Sequence, residues 1–285
     1  MPDPSTSTGR AGADGPAAPP SADLVRDLDV PGAWSVVVSG TEQSWLDPDD
    51  PTRLEFDYMQ RIADAIDAQA PSGERLRVVH VGGAAMTLAR YVAHTRPSSA
   101  QIVIEPDSAL TDRVREMVPL PRRSGIKVRA TDGRSAIAAM RDDYADVVIV
   151  DAFIGPKVPD ELVTTEFLAD VARVLTADGT IMVNITDRAP FDFARRVAAG
   201  VAEVFAHTCW SAEPATLKGR RRGNIVLLGC GVPLPHEELA AAARRGVFPY
   251  RLVHGKAWGR LLAGARAIRD PDGYTTPAPE PGFLS

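Results

Sequence analysis

Residues that can bind a nucleoside follow two apolar runs in the first half of the chain. Gly82 and Gly83 come directly after the run at 76–81, and Glu105 ends the run at 101–105. A pair of glycines lets the backbone turn tightly and approach a ligand at the start of a helix. An acid at the position of Glu105 can accept hydrogen bonds from both hydroxyls of a ribose. The pattern therefore predicts ribose binding, with a plain turn and a solvated carboxylate as the alternatives.

A third polar position follows the next apolar run. Asp132 comes after the run at 126–130 and directly before Gly133. Its carboxylate can accept a hydrogen bond from the exocyclic amine of adenine. It can equally cap the helix that is predicted to begin at Gly133. Both roles stay open, and adenine binding is the favoured one.

Asp151 follows the apolar sequence Val-Val-Ile-Val. A charge directly after a buried strand is unfavourable unless it is paired or lies at the mouth of a site. We therefore predict that Asp151 is a catalytic or substrate-holding carboxylate, with a helix cap or a salt bridge as the alternative. Weaker candidates of the same kind end the next run: Asn184, Thr186 and Asp187.

Strand-like and helical segments alternate along the chain and predict how these residues are held. The alternation is typical of a Rossmann-like, doubly wound α/β fold with a mainly parallel, seven-stranded sheet. Ligands of such sheets bind outside the carboxyl ends of the strands, where the polar residues above fall. The predicted strands are 76–81, 101–105, 126–130, 145–150, 179–185, 207–212 and 224–230. The predicted helices are 86–95, 108–117, 133–141, 160–176, 190–205 and one that opens at Asp50-Pro51-Thr52.

The chain ends differ from this central part in composition. Residues 33–46 predict a small N-terminal β-hairpin region that turns at Ser39-Gly40. Pro-, Ala- and Gly-rich ends bury too little apolar surface to offset the entropy of ordering. The predicted organisation is a disordered tail at 1–25, a small β region at 26–50, a nucleoside-binding domain at 51–268 and a loosely attached Pro-rich tail at 269–285.

The composition excludes several classes of function. The 285-residue chain has a net charge of -5, without the basic excess of a nucleic-acid-binding protein. No stretch approaches the ~18 apolar residues of a membrane span, and the N-terminus lacks the features of a signal peptide. We expect a cytoplasmic protein with neither nucleic acid nor membrane as a partner. Cys209 and Cys230 lie in apolar runs and are expected to be buried free thiols rather than a disulfide.

Common cofactor and metal motifs are missing from the sequence. The five histidines have no metal-ligand spacing, so no metal is expected. There is no Walker loop, nucleophile elbow or paired-cysteine zinc motif. The full Gly-x-Gly-x-x-Gly loop is also missing, which favours a nucleoside over a dinucleotide.

From about Gly40 to Gly231 the order and spacing of these residues resemble those of the polyamine aminopropyltransferases (spermidine synthases), especially their actinobacterial spermidine synthase-like relatives. That family shares the fold of the class I S-adenosylmethionine-dependent methyltransferases. The resemblance implies that S-adenosylmethionine or decarboxylated S-adenosylmethionine binds as a substrate, and it is compatible with a homodimer. The residues that it places at the nucleoside are Gln43, Gly82, Gly83, Glu105, Asp132 and Gly133.

The resemblance also implies two catalytic residues. Tyr58 lies in Glu55-Phe56-x-Tyr58, which is similar to a family motif whose tyrosine lines the active site. Asp151 matches the first aspartate of the family's Asp-x-x-Asp, to which deprotonation of the acceptor amine is attributed. Gly155-Pro156 follows as in the family.

Several acidic positions of the family are not acidic in this chain. Ala85 stands at the aspartate of the glycine-rich loop, and Ile154 at the second aspartate of Asp-x-x-Asp. Met59-Gln60 replaces His-Glu or Gln-Glu, and the segment 214–222 replaces an acceptor-holding Pro-x-Tyr segment. Loss of one partner of a buried charge pair costs ~2–5 kcal/mol. Efficient transfer to putrescine, a dication, is therefore not expected, and the acceptor stays unidentified.

Three functions remain open at this point. The first is a spermidine synthase-like transferase that acts through Asp151. The second is methyl transfer from S-adenosylmethionine, which can rely on proximity and orientation without the missing carboxylates. The third is a non-catalytic nucleoside-binding module. The N-terminal strands with Gln43 favour the first over the second, whereas Ala85 and Ile154 favour the third over the first.

One basic segment, Lys218-Gly219-Arg220-Arg221-Arg222, follows the penultimate predicted strand. In this fold class it is expected at the ligand-binding edge of the sheet, where it would repel a polyamine and attract an anion. A solvated surface turn is the alternative.

Overall fold

The computed structural model describes residues 22–38, 40–155 and 157–277. Within these residues the strands are β1 (Ala22–Arg26), β2 (Trp34–Val38), β3 (Thr41–Leu46), β4 (Arg77–Val81), β5 (Ala100–Ile104), β6 (Ile126–Arg129), β7 (Ala145–Val150), β8 (Leu175–Asp187), β9 (His207–Ala212), β10 (Gly223–Cys230) and β11 (Arg251–Val253). The helices are α1 (Asp57–Gln69), α2 (Thr87–Thr95), α3 (Ser108–Met117), α4 (Gly133–Ala138), α5 (Thr165–Val174), α6 (Asp192–Val204), α7 (Pro214–Leu217), α8 (His236–Arg245) and α9 (Gly255–Leu262). Short 3-10 helices lie at Asp160–Leu162 and Asp270–Asp272.

The central sheet has the strand order β11-β9-β10-β8-β7-β4-β5-β6. The pairs from β8 to β6 are parallel, whereas β10, β9 and β11 pair antiparallel at the other side. Helices α4, α5 and α6 cover one face, and α1 and α2 cover the opposite face. Because both faces are covered, β7 is buried over nearly its whole length, as its continuous apolar sequence predicts. The predicted doubly wound, mainly parallel α/β fold is confirmed.

The sheet has eight strands rather than the predicted seven. The additional strand, β11, pairs with β9 through Arg251–Val253. This strand is short and only partly buried at the edge of the sheet, so it lacks the apolar run that identifies the inner strands. Helices α7, α8 and α9, which flank this end, were not predicted either.

The N-terminal β region is a three-stranded sheet rather than a hairpin. Strands β2 and β3 confirm the predicted pair, and β1 adds a third strand that pairs antiparallel with β2. Residues 22–25, which fall in the predicted disordered tail, therefore belong to a strand that backbone pairing to β2 stabilises. The remainder of that tail, residues 1–21, and Ser39 of the predicted turn lie outside the described residues.

Two predicted helices have different boundaries in the structure. Helix α1 begins at Asp57 because Asp50 forms a turn in which its carboxylate accepts a hydrogen bond from the Thr52 amide at 3.1 Å. The predicted helix at 160–176 is divided into a 3-10 turn and α5, whose end continues directly into β8 at Leu175.

The C-terminal segment packs on the domain instead of forming a loose tail from residue 269. Asp270 forms an ion pair with Arg134 at 2.6 Å, and the ring of Tyr274 stacks on Phe193 with centroids 6.1 Å apart. Thr276 is buried. Residues 278–285 lie outside the described part of the chain.

Candidate functional site

A cavity of about 650 Å³ opens at the carboxyl ends of β4, β5, β6 and β7, where the loop after each strand contributes to its wall. The N-terminal sheet closes one side through β3. All the residues predicted to bind the nucleoside, and both main catalytic candidates, line this cavity: Gln43, Tyr58, Gly82, Gly83, Glu105, Asp132, Gly133 and Asp151. The weaker candidates Asn184, Thr186 and Asp187 are not among the described residues that line it.

Backbone hydrogen bonds continue the parallel ladder beyond the strand ends and fix three of these residues. The Gly82 amide donates to the Ile104 carbonyl at 2.9 Å, and the Asp151 amide donates to the Val81 carbonyl at 2.9 Å. The Glu105 amide donates to the Arg129 carbonyl at 3.1 Å. Backbone pairing in the sheet therefore sets the relative positions of these three residues without any contribution from their side chains.

Gly82 occupies a position that other residues do not tolerate. Its φ angle is +89°, in the left-handed region that favours glycine. A Cβ atom there would lie 2.2 Å from the Asp151 carbonyl oxygen, far inside van der Waals contact. The absence of a side chain thus allows the ends of β4 and β7 to approach each other at the floor of the cavity.

Glu105 holds the turn that follows Gly82. One carboxylate oxygen, Oε2, accepts hydrogen bonds from the amides of Gly83 at 3.1 Å and Ala84 at 3.3 Å. The other, Oε1, accepts from the Asp107 amide at 3.1 Å. Each carboxylate oxygen has about two lone pairs, so Oε1 retains the capacity to accept a hydroxyl donor from the cavity.

Asp132 is the N-cap of α4. Its Oδ1 accepts a hydrogen bond from the Ser135 amide at 2.7 Å, which lowers the pKa of this carboxyl below its ordinary value of 3.8. The capping role predicted as the alternative is thus present. Binding of adenine by the same carboxylate remains a prediction, and an ionised group at the cavity is suited to accept an amine donor.

Asp151 contacts two polar side chains that come from distant parts of the sequence. The Asn184 amide nitrogen donates to its Oδ1 at 2.9 Å. The Tyr58 hydroxyl, at the start of α1, also donates to this carboxylate. Tyr58, Asp151 and Asn184 thus form one polar cluster at the ends of α1, β7 and β8.

Burial changes the protonation behaviour of this cluster. It raises the pKa of Asp151 above the ordinary 3.8, although the hydrogen bonds from Asn184 and Tyr58 oppose that rise. It also raises the pKa of Tyr58 well above 10.0, and the negative charge of Asp151 adds to this effect. Tyr58 therefore stays protonated and donates, and Asp151 is a stronger base than a solvated aspartate.

The two parts of the cavity differ in chemistry. The glycine side comprises Gly82, Gly83, Glu105, Asp132 and Gly133 and is built from strand ends and backbone amides. The Tyr58 side comprises Tyr58, Met59, Asp151, Phe153 and Ile154 and is mainly apolar.

Two positions at which the family resemblance implies acids are apolar for different structural reasons. Ala85 is fully buried and packs with Val36 and Leu46 of the N-terminal sheet, so a carboxylate there would need to enter an apolar cluster. Ile154, in contrast, is 72% exposed at the rim of the cavity. An acid at position 154 would lie at the rim and face solvent.

The basic segment 218–222 lies at the predicted edge of the sheet, because β10 begins beside the end of β8. None of its residues is among the described residues that line the cavity. Arg221 pairs with Glu213, and Arg222 lies 3.9 Å from Asp187 and donates to the Thr186 carbonyl. Direct contact of this segment with a ligand of the cavity therefore has no support in the structure.

Three further polar residues near the ends of β4 and β8 have different roles in the structure. Asn184 was a weak candidate as a strand-end polar residue, and its contact with Asp151 gives it a place in the site. Asp187 instead caps α6 through the Ala194 amide at 2.9 Å. His80 borders the cavity but is buried and bonds to Gln101 at 2.9 Å, and burial lowers its pKa to about 4.

Other expectations concern metals, thiols and membranes. Cys209 and Cys230 are buried free thiols, as predicted, and burial raises the pKa of Cys209 to about 12. Within the described ranges no group of three or more His, Cys, Asp or Glu side chains is arranged to hold a metal ion. No helix in that part of the chain has the length and apolar character needed to cross a membrane.

Comparison with known proteins identifies relatives of the chain over most of its length. It is similar to the crystal structure of a probable spermidine synthase from Corynebacterium glutamicum, with 30% identity and a TM-score of 0.82 over 96% of this chain and 100% of that one. A polyamine aminopropyltransferase from Neisseria meningitidis is 24% identical over 82% of this chain and 86% of that protein. A Vibrio vulnificus protein of the same description is 26% identical over 49% of this chain and 46% of its own length. No family model matches the chain.

Two further solved structures share the fold at lower identity. A spermidine synthase in complex with the transition-state analogue AdoDATO has a TM-score of 0.57 at 15% identity, over 90% of this chain and 85% of that one. Human methyltransferase-like protein 13 in complex with SAH has a TM-score of 0.55 at 21% identity, over 75% of this chain and 96% of that one. These two likenesses show the fold alone.

Proposed function

Because the chain belongs to the polyamine aminopropyltransferase (spermidine synthase) family, we propose that it transfers an alkyl group from a sulfonium nucleoside to an acceptor amine. The donor is decarboxylated S-adenosylmethionine or S-adenosylmethionine. The observation that carries the proposal is the convergence of Glu105, Asp132 and Asp151 on one cavity, although the three follow different strands.

The glycine side has the size and the donor and acceptor groups that a nucleoside requires. The whole cavity, of which this side is a part, has a volume of about 650 Å³, within the ~300–1,000 Å³ typical of small-molecule sites. We assign the ribose hydroxyls to Glu105 and the adenine amine to Asp132, because both carboxylates retain accepting capacity beyond their bonds to the backbone. The close approach at Gly82 and Gly83 provides a surface without side chains for the nucleoside.

The Tyr58 side supplies the base that the reaction needs. When bound, the sulfonium group supplies an electrophilic carbon. We assign removal of a proton from the acceptor amine to the Asp151 carboxylate, whose pKa is raised by burial. Tyr58 and Asn184 orient that carboxylate through their hydrogen bonds. Gln43 of β3 lines the same cavity and is assigned to contact with the donor.

Methyl transfer from S-adenosylmethionine is the second candidate. The buried Ala85 favours it, because the ammonium of decarboxylated S-adenosylmethionine would have no acid at this position, whereas the ammonium of S-adenosylmethionine is accompanied by the carboxylate of the same molecule. A neighbour in fold is described as a complex with SAH. A non-catalytic nucleoside-binding module is the third candidate and would keep the glycine side alone.

Calorimetric titration with decarboxylated S-adenosylmethionine, S-adenosylmethionine and methylthioadenosine tests the proposal. We expect tight binding of at least one donor and of methylthioadenosine, with a loss of about 10- to 150-fold in Glu105→Ala, since hydrogen bonds to a charged group contribute ~1.5–3 kcal/mol. Glu116→Ala, an exposed acid on α3, is the matched control and should bind normally. Binding of none of the three compounds would contradict the proposal.

Turnover distinguishes the remaining candidates. Preference for S-adenosylmethionine, with formation of S-adenosylhomocysteine, would move the assignment to methyl transfer. Tight binding without consumption of either donor across a panel of amines and other nucleophiles would support the non-catalytic module.

A further inference from the structure

The carboxylates around the cavity are distributed unevenly. Four of the five acids that line it belong to the glycine side or border it: Glu105, Asp107, Asp132 and Glu161. Glu161 lies in a 3-10 helix next to Leu162, whose side chain is 3.0 Å from the position that a Cβ atom would occupy on Gly133. Because Gly133 belongs to the glycine side, Glu161 lies near that side as well. On the Tyr58 side, Asp151 is the one carboxylate among the described lining residues.

The wall beyond Asp151 is apolar out to the rim. Phe153 is partly buried against the core, and Met59 is buried beside Tyr58. Ile154 is 72% exposed, which is unusual for a large aliphatic side chain and leaves an apolar surface for a ligand. The turn after Ile154 is fixed by reciprocal backbone hydrogen bonds to Lys157 at 2.8 and 3.3 Å, so the same turn carries a cation and no acid.

These observations bear on the charge of the acceptor. One carboxylate can compensate one ammonium group as it leaves water, and a second ammonium against the apolar wall would have no partner. An alkyl or aryl tail, in contrast, would bury apolar surface of its own and of Phe153 and Ile154.

We propose that the acceptor is a primary amine with a single ammonium group and an apolar tail, whose nitrogen lies at Asp151 and whose tail packs on Phe153 and Ile154. The proposal rests on the proposed function, because it assumes that the glycine side holds the donor. It identifies the acceptor class that the missing acids leave undefined.

The reaction balances with the groups named. The ammonium of the acceptor gives one proton to the Asp151 carboxylate. The neutral nitrogen then forms a bond to the propyl carbon beside sulfur while the carbon–sulfur bond breaks and its electron pair stays on sulfur. Neutral methylthioadenosine leaves, the product is a secondary ammonium with an aminopropyl arm, and the proton on Asp151 passes to solvent.

The test compares hexylamine with 1,6-diaminohexane, which differ only in the second amine. Each is titrated by calorimetry into protein saturated with methylthioadenosine. We expect hexylamine to bind about tenfold more tightly, since the second ammonium of the diamine has no carboxylate partner at the apolar wall and keeps the last carbons of its chain in water. With decarboxylated S-adenosylmethionine, mass spectrometry should detect aminopropyl-hexylamine.

Ile154→Asp supplies a carboxylate at the rim and should reduce or reverse the preference for hexylamine over 1,6-diaminohexane. A surface ion pair contributes ~0–1 kcal/mol, so binding of the diamine should improve by up to about fivefold. Val232→Asp changes an apolar side chain that is 41% exposed elsewhere, and it should leave both amines unaffected.

Two results would overturn the inference while leaving nucleoside binding intact. One is binding of 1,6-diaminohexane to the unmodified protein that is as tight as, or tighter than, that of hexylamine. The other is that neither amine binds. Failure of methylthioadenosine itself to bind would instead count against the proposed function.

Discussion

The glycine side and the Tyr58 side of the cavity are built in different ways. The glycine side depends on backbone geometry, since ladder hydrogen bonds and the φ angle of Gly82 fix its form. The Tyr58 side depends on side chains, because Tyr58, Asp151 and Asn184 meet from three distant segments. Backbone geometry tolerates change in most surrounding side chains. A site made of side chains can change specificity by a few substitutions, which Ile154→Asp tests.

Asp151→Asn should separate the two sides with the largest effect. Loss of a general base lowers kcat by about 10²–10⁴-fold, whereas the glycine side should bind methylthioadenosine within about twofold of the unmodified protein. Steady-state kinetics with the acceptor and calorimetry of the nucleoside measure the two quantities. An equal loss of both would show that Asp151 supports the nucleoside rather than the acceptor.

The same variant makes a prediction about stability and pH. Folding raises the pKa of Asp151, so this group contributes stability that is fully present below pH 3.8 and is lost as the pH rises through the raised value. Above that range the folded protein holds an unfavourable buried charge, and Asp151→Asn should unfold at higher denaturant than the unmodified protein. Urea unfolding at acidic and neutral pH tests this, because the difference between the two proteins should diminish on acidification.

Gly82→Ala should damage the backbone-built side. The added Cβ would collide with the Asp151 carbonyl at 2.2 Å in a left-handed conformation. We expect a loss of about 3 kcal/mol in the free energy of unfolding, the sum of conformational strain and overpacking. Gly73→Ala is the matched control, because Gly73 has a φ of +90° with no atom within 4 Å of its Cβ position. That control should lose about 1 kcal/mol, and an equal loss in both variants would remove the argument from close approach.

Asn184→Ala examines the orientation of Asp151 without removing it. The hydrogen bond from Asn184 lowers the pKa of Asp151, so its loss should raise that pKa and move the acid limb of the pH–kcat profile to higher pH. We expect kcat at neutral pH to fall by about tenfold, as one net hydrogen bond contributes ~0.5–1.5 kcal/mol. Asn184→Asp restores neither the donor nor the charge balance and should not rescue activity. An unchanged pH profile in Asn184→Ala would assign the residue to packing alone.

The contrast between the two sides also determines what the sequence could reveal. Gly82, Glu105 and Asp132 follow apolar runs, and parallel strands bring their carboxyl ends to one edge of the sheet. Local pattern and topology were therefore sufficient to predict that these residues lie at one site. Asp151 also follows an apolar run, whereas Tyr58 was predicted only through the family resemblance. Nothing local connects a residue of α1 with one at the end of β7, so their contact was not predicted. The contact of Asn184 with Asp151 depends on the register of β8 against β7, which strand patterns do not specify.

The errors in the predicted fold have a related cause. Strands β1 and β11 are short and lie at sheet edges, where stability comes from pairing with a neighbour rather than from an apolar run. The C-terminal segment is held by particular contacts, such as Asp270 with Arg134, that composition does not show.

Asp132 gives the smallest expected effect and resolves the last ambiguity of the glycine side. Asp132→Ala removes the cap of α4 and should cost about 1 kcal/mol of stability, whereas Asp132→Asn preserves a capping oxygen and should cost little. If the carboxylate also binds adenine, both variants should weaken methylthioadenosine binding by about three- to tenfold. Thr164→Ala removes the cap of α5, a bond of 3.3 Å from the Phe167 amide, together with a bond of 3.0 Å from Arg134. Thr164 is not among the described residues that line the cavity, so this variant is a control for loss of a cap outside the site. Loss of stability in Asp132→Ala with unchanged nucleoside affinity would make Asp132 a structural cap and leave adenine recognition to other residues of the cavity.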